Sequence, residues 1–293
     1  MKPTFSDHFK TNLLKILPQH KLAGMMYWLA RNRWPPLKNF LIHFVVARFK
    51  VDLFEAENPD ASSYACFNDF FTRALRSDAR LICAGDDEIA CPVDGNVSQA
   101  GNIEKDRLLQ AKGHDYSLHA LLADNSHLAN LFTDGQFATI YLSPKDYHRI
   151  HMPIDGTLRK MIFVPGTLFS VSDATTQIVP NLFAINERTI CIFDTKVGPM
   201  AMILVGAIFV GSMETIWEGE ILASDDGITI WDYTDKSPVT LEKGEEMGRF
   251  NMGSTVIMLF PNGSIQWDST MQAGAQARIG EAIGLLKHDP VES

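Results

Sequence analysis

The sequence predicts an α+β fold in which N-terminal amphipathic helices precede a β-rich domain of antiparallel sheets. Two observations support this prediction. Residues 6–50 carry apolar side chains at helical spacing and are divided by prolines. From residue 88 onward, short runs rich in Val, Ile, Thr and Phe alternate with turn dipeptides, as in strands joined by tight turns. We place the boundary between a helical region, residues 1–63, and the β-rich domain, residues 64–293, at the end of a polar stretch.

Three helices are predicted before residue 51, at residues 6–17, about 19–32 and 36–50. Proline separates them, because it lacks the amide hydrogen that a helix interior needs but is accepted in a first turn. Six residues of the third helix form one stripe: Leu37, Phe40, Leu41, Phe44, Val45 and Arg48. Either the protein's own core or lipid must cover this stripe, and the sequence leaves both alternatives open.

The charge of the chain is distributed unevenly. The formal net charge is -9, yet residues 1–50 contain nine Lys or Arg and a single acidic residue, Asp7. Basic and aromatic residues are interleaved there: Lys21, Trp28, Arg31, Arg33, Trp34 and Lys38. This mixture favours an anionic membrane surface as the partner over nucleic acid.

Further along the chain, a short helix is predicted at residues 67–73 and another at 117–125. The longest apolar run, residues 200–210, is shorter than the roughly 18 to 20 residues of a membrane-spanning helix and predicts a buried strand. The predicted turn dipeptides are Asp94-Gly95, Asp134-Gly135, Asp155-Gly156, Pro165-Gly166, Asp226-Gly227 and Asn262-Gly263. The four cysteines, Cys66, Cys83, Cys91 and Cys191, lack C-x-x-C spacing, which favours reduced thiols.

The tripeptide Gly253-Ser254-Thr255 is the strongest candidate for chemistry. Glycine has no Cβ, so the carbonyl group before Ser254 is open to attack by the serine hydroxyl. The same tripeptide is also an ordinary entry into a buried strand at residues 256–260, and by itself it does not separate the two interpretations.

Four segments in order resemble the phosphatidylserine decarboxylases of the bacterial and mitochondrial type. They are CPVDG at residues 91–95, YLSPKDYHRIHMP at 141–153, VPGTLFSV at 164–171 and GRFNMGST at 248–255. Met252 stands where this family usually has leucine, and Val93 where it usually has alanine. The resemblance implies a pyruvoyl-dependent decarboxylase domain at residues 64–293. It also implies self-cleavage between Gly253 and Ser254 into a β chain, residues 1–253, and an α chain, residues 254–293.

The resemblance also implies the roles of individual residues. Asp94, His151 and Ser254 correspond to the self-processing triad of the family, in which a base activates the serine and a carboxylate orients the base. Ser254 becomes a pyruvoyl group, which forms a Schiff base with phosphatidylserine; loss of CO2 then gives phosphatidylethanolamine. His148 is the expected proton donor and Ser170 the expected headgroup contact. No metal is expected.

For partners, the resemblance implies phosphatidylserine and a heterodimer of the chain's own α and β fragments, and it leaves open whether two heterodimers pair. No nucleic acid is expected. The expected location is peripheral, on the cytoplasmic face of a bacterial cell membrane, with the N-terminal helices on the anionic surface.

Two alternatives remain open for the function, and both predict an uncleaved chain. One is a Ser/His/Asp lipid hydrolase, although no G-x-S-x-G elbow is present. The other is a non-enzymatic peripheral membrane-binding β protein. The pair His148 and His151 has a further alternative as metal ligands, for which the neighbouring sequence offers no third His or Cys.

Overall fold

The computed structural model describes residues 4, 8, 11–12, 17–111, 113–208, 212–221, 227–252 and 254–287. Most of the first predicted helix, residues 6–17, lies outside these residues. So do Gly253 of the predicted cleavage site and Asp226 of one predicted turn.

Seven helices lie within the described residues. They are α1 (Gln19–Ala30), α2 (Pro35–Phe49), α3 (Phe67–Phe71), α4 (Leu118–Leu121), α5 (Ser126–Phe132), α6 (Asp173–Thr176) and α7 (Leu182–Ile185). The predicted helices at 19–32, 36–50 and 67–73 are confirmed, and Pro35 and Pro36 occupy the first turn of α2.

The helix predicted between residues 117 and 125 is present as α4 but is shorter, and a second helix, α5, begins directly after this segment. The Ser117 hydroxyl accepts a hydrogen bond from the Ala120 amide at 3.2 Å and begins α4. The side chain of Asn125 accepts a hydrogen bond from the Leu128 amide at 3.1 Å and begins α5, which the sequence analysis missed.

Strands account for most of the remaining regular structure. Their bounds are β1 (Glu88–Ala90), β2 (Gly95–Asn102), β3 (Arg107–Ala111), β4 (His114–Ser117), β5 (Gln136–Leu142), β6 (Arg149–His151), β7 (Gly156–Val164), β8 (Arg188–Thr195), β9 (Gly198–Val205), β10 (Met213–Thr215), β11 (Gly219–Ile221), β12 (Thr229–Asp232), β13 (Thr240–Leu241), β14 (Glu246–Phe250), β15 (Ser254–Phe260), β16 (Ile265–Trp267), β17 (Gln276–Ala277) and β18 (Ala282–Leu286). The α+β prediction is confirmed.

The largest sheet has nine strands in the order β12-β7-β8-β9-β15-β5-β2-β17, with β13 pairing β7 beside β12. Smaller sheets have the orders β11-β10-β14-β6, β1-β18-β16 and β3-β4. All pairs of named strands among the described residues are antiparallel. Strand β15 lies inside the large sheet and pairs on both sides, with β9 and β5.

The prediction of turns at the six dipeptides was only partly correct. Gly263 has φ +73 in the turn between β15 and β16, as predicted. Gly95 and Gly156 instead begin strands β2 and β7. Residue 95 is a glycine for lack of space and not for a turn, because a Cβ there would lie 2.3 Å from the Tyr141 carbonyl oxygen of the neighbouring strand.

Besides the main hydrophobic core of the sheets, a second hydrophobic cluster joins the N-terminal helices to the β-rich part. This second cluster contains residues on both sides of the predicted boundary at residue 63. Its buried members are Ala30, Ile42, Val51, Tyr64, Phe67, Phe70 and Phe71. Met252, which precedes the predicted cleavage site, packs against this cluster. The helices and the segment before the cleavage site therefore share one packed environment.

The apolar stripe of α2 divides into two faces. Leu41 and Val45 pack on the second cluster. Phe40 and Phe44 are 65% and 55% exposed. The protein's own core therefore covers one side of this stripe and leaves the other side exposed. None of the helices in the described part of the chain has both the length and the apolar character needed to cross a bilayer.

Candidate active site

Ser254 is the first residue of β15 and is completely buried. Its register partner on β5 is Leu142. The Ser254 hydroxyl is out of contact with solvent and has no hydrogen-bond partner among the described residues. The hydroxyls of Thr139, Thr189 and Thr255 are also buried without a partner in the described part of the chain, so it is the position of Ser254 after Gly253, together with this burial, that makes its hydroxyl a candidate for chemistry.

His151 ends strand β6 and has both ring nitrogens in contacts. Nδ1 lies 2.7 Å from the Gly244 carbonyl oxygen, which can only accept, so Nδ1 carries the proton. Nε2 is then the acceptor, 3.2 Å from the Tyr147 hydroxyl. Burial lowers the pKa of His151, which leaves the imidazole neutral near pH 7. Nε2 is therefore unprotonated and is occupied by Tyr147; no hydrogen bond in the described residues joins it to the Ser254 hydroxyl.

Asp94 lies directly before β2, close to the backbone of His151. The His151 amide donates to the Pro92 carbonyl at 2.9 Å, which holds the two segments together. The Asp94 carboxylate accepts hydrogen bonds from Arg80 at 2.6 and 3.3 Å and from the Ile279 amide at 2.8 Å. In the described part of the chain no hydrogen bond joins Asp94 to His151; their interaction here is through space, and Asp94 slightly raises the pKa of His151.

Strand positions set the separation of Asp94 and Ser254. Asn96 pairs with Tyr141, and Ser254 pairs with Leu142, so β2 and β15 flank the same end of β5. Neighbouring strands lie about 4.8 Å apart, which puts the backbones on either side of β5 about 10 Å apart.

His148 is completely buried beneath the α3 segment, with its ring centroid 4.0 Å from that of Phe71. Nδ1 donates to the Asp146 carbonyl at 2.8 Å, and Nε2 has no hydrogen-bond partner among the described residues. Desolvation lowers the pKa of His148 to about 3. At neutral pH its free nitrogen is therefore an acceptor, and it can donate a proton from there only after receiving one.

Ser170 lies in the loop after β7 and is half-buried. Its hydroxyl accepts a hydrogen bond from the Ser172 amide at 3.4 Å. None of the hydrogen bonds in the described residues links Ser170 to Asp94, His148, His151 or Ser254.

A polar cavity of about 260 Å³ opens beside Asp94. Tyr147 lines it together with Arg73, Arg80, Lys145 and Arg278. No grouping of three or more His, Cys, Asp or Glu suited to a metal ion occurs in the part of the chain that the structure describes.

A family model described as phosphatidylserine decarboxylase matches residues 67–285. A second model, described as PSD, matches residues 9–50. The chain belongs to the phosphatidylserine decarboxylase family. The resemblance drawn from the four sequence segments is confirmed.

Several bacterial relatives share about half of their residues with this family member. The phosphatidylserine decarboxylase proenzyme of Alcanivorax borkumensis is 50% identical over 284 residues, which cover 97% of this chain and 98% of the relative. The proenzyme of Hahella chejuensis is 52% identical, covering 92% of this chain and 91% of its own. The proenzyme of Psychromonas ingrahamii is 53% identical, covering 91% and 93%.

Several site residues of this phosphatidylserine decarboxylase family member were missed by the sequence analysis. Tyr147 lay inside a matched segment, but the segment alone does not show that its hydroxyl contacts Nε2 of His151. The carbonyl of Gly244 and the guanidinium of Arg80 lie far from His151 and Asp94 along the chain. No local pattern marks such long-range partners.

Proposed function

We propose that the chain is a self-processing, pyruvoyl-dependent phosphatidylserine decarboxylase, which releases CO2 from phosphatidylserine to give phosphatidylethanolamine. The observation that supports this most directly is the Ser254 hydroxyl, buried and unpartnered in the residue that follows Gly253. The proenzyme names of the relatives agree with a chain that is cleaved to become active.

In the proposed self-processing step, Nε2 of His151 takes the proton of the Ser254 hydroxyl. The Ser254 oxygen attacks the Gly253 carbonyl carbon, and the peptide bond is replaced by an ester. Base removal of the Ser254 α-proton then breaks the bond between Cβ of Ser254 and the ester oxygen, so that residues 1–253 leave as a carboxylate and residue 254 becomes dehydroalanine. Water hydrolyses the dehydroalanine to the pyruvoyl group and releases ammonia. The hydrogen bond from Nδ1 to the Gly244 carbonyl supports this role, because it keeps Nε2 unprotonated.

Asp94 would act on His151 through its charge, which favours the imidazolium that forms when the serine proton is taken. Its carboxylate is held in place by Arg80 and by the Ile279 amide. Ile279 belongs to the proposed α chain, so this contact also joins the two proposed fragments.

Residues around Ser254 fit the pyruvoyl group that the family resemblance implies. Conversion of Ser254 removes the hydroxyl that has no partner, and β15 holds the next residue, Thr255, on both sides. When formed, the group supplies an electron sink for the loss of CO2. His148 remains our proposed proton donor. Because burial keeps its ring neutral, Nε2 would accept a proton within the closed site and return it to the product carbon.

The proposed α chain, residues 254–293, would stay bound after cleavage. Strand β15 pairs with Leu142 through Gln136 on one side and with Val205 through Ala201 on the other. Both neighbouring strands belong to the proposed β chain. A heterodimer of the two fragments is therefore part of the proposal.

We further propose that the protein rests peripherally on an anionic membrane, at the cytoplasmic face of a bacterial cell. The large apolar side chains exposed in the N-terminal part support this: Met25, Trp28, Trp34, Phe40, Phe44 and Phe54. Lys21 and Arg33 are exposed beside them.

Two of the basic residues expected at the membrane instead bind other groups of the protein, so this part of the prediction is corrected. Lys38 is buried, and its ammonium group donates to the Ser62 carbonyl at 2.8 Å. Arg31 forms an ion pair with Glu220.

Ser170 remains our proposed contact for the lipid headgroup. Its support is its position in the loop after β7, which runs beside the start of β8. The parallel bridge between Thr167 and Asn186 holds this loop at the beginning of β8.

The experiment that tests the proposed function is denaturing intact-mass spectrometry of the purified protein beside a Ser254→Ala variant. We expect two fragments that separate at Gly253, with a pyruvoyl group beginning the smaller one, and an intact Ser254→Ala chain. An intact chain in both samples would contradict the proposal and favour the lipid hydrolase or the non-enzymatic membrane-binding protein.

A further inference from the structure

Glu187 is a buried carboxylic acid that the proposed reaction has not used. It lies directly before β8 and is 8% exposed. Its main chain is fully engaged: the amide donates to the Thr167 carbonyl at 2.9 Å, and the carbonyl accepts from the Gly206 amide at 2.8 Å. Its carboxyl group makes no hydrogen bond or ion pair within the described residues. An acid buried in this way is costly unless a partner arrives.

The sheet register places Glu187 in the same cross-strand row as Ser254. Arg188 pairs with Val205, and Val205 pairs with Thr255. Continuing both pairings by one position gives the row Glu187, Gly206 and Ser254. Side chains directly opposite one another in antiparallel strands point to the same face, and two strand spacings amount to about 10 Å. Glu187 and Ser254 therefore face the same side of the sheet.

Gly206 lies between them, and its lack of a side chain matters because a Cβ at residue 206 would lie 3.2 Å from the Glu187 carbonyl oxygen. The same Cβ would lie 3.7 Å from Cδ2 of Leu168 and 3.9 Å from the Cβ of Glu187. The apolar side chain of Leu168, in the loop after β7, thus lies over the backbone of Gly206. The Leu168 amide donates at 2.7 Å to the side chain of Gln19 in α1, the helix that carries exposed Trp28.

In the part of the chain that the structure describes, no charged side chain compensates Glu187. The neighbouring Arg188 donates instead to the carbonyls of Ala120, Leu121, Ala184 and Asn186. Burial raises the pKa of Glu187 to about 7, and desolvation is the sole cause. A largely buried carboxyl group whose pKa lies near neutral pH is suited to proton transfer.

We propose that Glu187 is a further catalytic residue, which receives the ammonium group of the lipid headgroup and removes its proton. The proposal rests on the proposed function, because it needs an amine substrate at residue 254. In this step an N–H bond of the ammonium breaks and an O–H bond forms on the Glu187 carboxylate. The electron pair of the N–H bond stays on nitrogen, which makes the neutral amine a nucleophile toward the carbonyl carbon at residue 254.

The test uses the full chain with Glu187→Gln, which keeps size and shape but cannot accept the proton, and Glu104→Gln as an exposed control. Each protein is first checked for cleavage by intact mass. Adduct formation on the α chain is then followed at pH 7 with cyanoborohydride and dihexanoyl-phosphatidylethanolamine, whose amine arrives protonated. Methoxyamine, which is unprotonated at this pH, is the comparison nucleophile.

We expect Glu187→Gln to be cleaved normally and to form the phosphatidylethanolamine adduct at least about a hundredfold more slowly than wild type. The methoxyamine adduct should form at the wild-type rate, and Glu104→Gln should match wild type with both amines. Glu187→Asp retains a carboxyl group on a shorter side chain. Its rate of adduct formation with phosphatidylethanolamine should lie between those of wild type and Glu187→Gln, and its rate with methoxyamine should equal that of wild type. If Glu187→Gln does not fold, Glu187→Asp is compared with wild type in its place.

Equal rates for wild type and Glu187→Gln with phosphatidylethanolamine would overturn the assignment of Glu187. Equal slowing with both amines would also overturn it, because a distorted site affects any nucleophile. A wild-type chain that is not cleaved at residue 253 would instead overturn the proposed function itself.

Discussion

Arg80 binds the carboxylate of Asp94 through two nitrogens, at 2.6 Å from Nη2 and 3.3 Å from Nε. Both side chains are largely buried, with 10% and 12% of their surface exposed. Arg80 also reaches Glu55 at 2.7 Å, which in turn contacts Arg278 at 2.6 Å. The predicted triad carboxylate is thus fixed by a network that includes both proposed fragments.

Replacing Arg80 with alanine should destabilise the fold and slow self-processing, because it leaves Asp94 buried without its cation. We expect the free energy of unfolding to fall by about 3 kcal/mol, measured by urea denaturation in a Ser254→Ala background. Cleavage of the Arg80→Ala precursor, followed by mass, should be slower than in wild type. The matched control is Arg76→Ala, which removes an exposed pair with Asp78 and should cost less than about 1 kcal/mol. Equal losses in the two variants would contradict the role of Arg80.

Self-processing should remain fast at mildly acidic pH. Burial lowers the pKa of His151 from its ordinary value of 6.5, so the neutral base persists as the pH falls through 6.5 and is lost only below it. The measurement is the cleavage rate of precursor made by cell-free synthesis, between pH 5 and 8. We expect a constant rate from pH 8 to 6.5, and a half-maximal rate near pH 7 would argue against His151 as the base.

Glu187 should make the precursor less stable as the pH rises through neutrality. Burial raises its pKa from 4.5 to about 7, so the folded protein binds this proton more tightly than the unfolded chain. The resulting stability is complete below pH 4.5 and is lost as the pH rises through about 7, in total about 3 kcal/mol. In a Ser254→Ala background, Glu187→Gln should remove this part of the pH dependence, measured by urea denaturation at pH 5 and 8. Parallel pH profiles with and without Glu187→Gln would refute the prediction.

Truncating a buried residue of α2 should impair processing. Ile42 is completely buried in the cluster against which Met252 packs. Ile42→Ala should cost about 2 to 5 kcal/mol and lower the fraction of chains cleaved in a mass measurement. Phe44→Ala on the exposed face of the same helix is the control and should be cleaved like wild type. Unchanged cleavage in both variants would mean that the helices do not support the processing segment.

Membrane association should depend on the opposite face of the N-terminal helices. Replacing Trp28, Phe40 and Phe44 together with serine should lower the fraction that sediments with phosphatidylglycerol-containing liposomes, because each side chain is more than half exposed. Ile230→Ser is the control, since Ile230 is 57% exposed on β12, outside the helices. If the triple variant sediments like wild type, these side chains are not the membrane contact.

Local patterns predicted the elements of this fold well and their partners poorly. Proline placement predicted α1 and α2, and the apolar run at residues 200–210 predicted the buried strand β9, although residues 209 and 210 lie outside the described part. The two faces of α2 could not be separated from sequence, because Leu41 and Phe40 differ only in what packs against them.

The candidate site shows the same division. Asp94, His148, His151 and Ser254 were predicted from matched segments, and their roles stay predictions. The tautomer of His151 depends on a carbonyl 93 positions away, and Glu187 acquires its interest only from the register of β8, β9 and β15. Such relations arise from tertiary structure and leave no local signal.

The central position of strand β15 would determine whether the two proposed fragments can exchange between molecules in a cell. Its backbone is bonded to β5 and β9 along nearly its whole length, so the proposed α fragment could leave only if the centre of the large sheet opened. Fragments from different molecules would then not exchange on mixing. Each active molecule would keep the two fragments that came from its own precursor chain. A damaged fragment could then be replaced only by synthesis of a whole new chain.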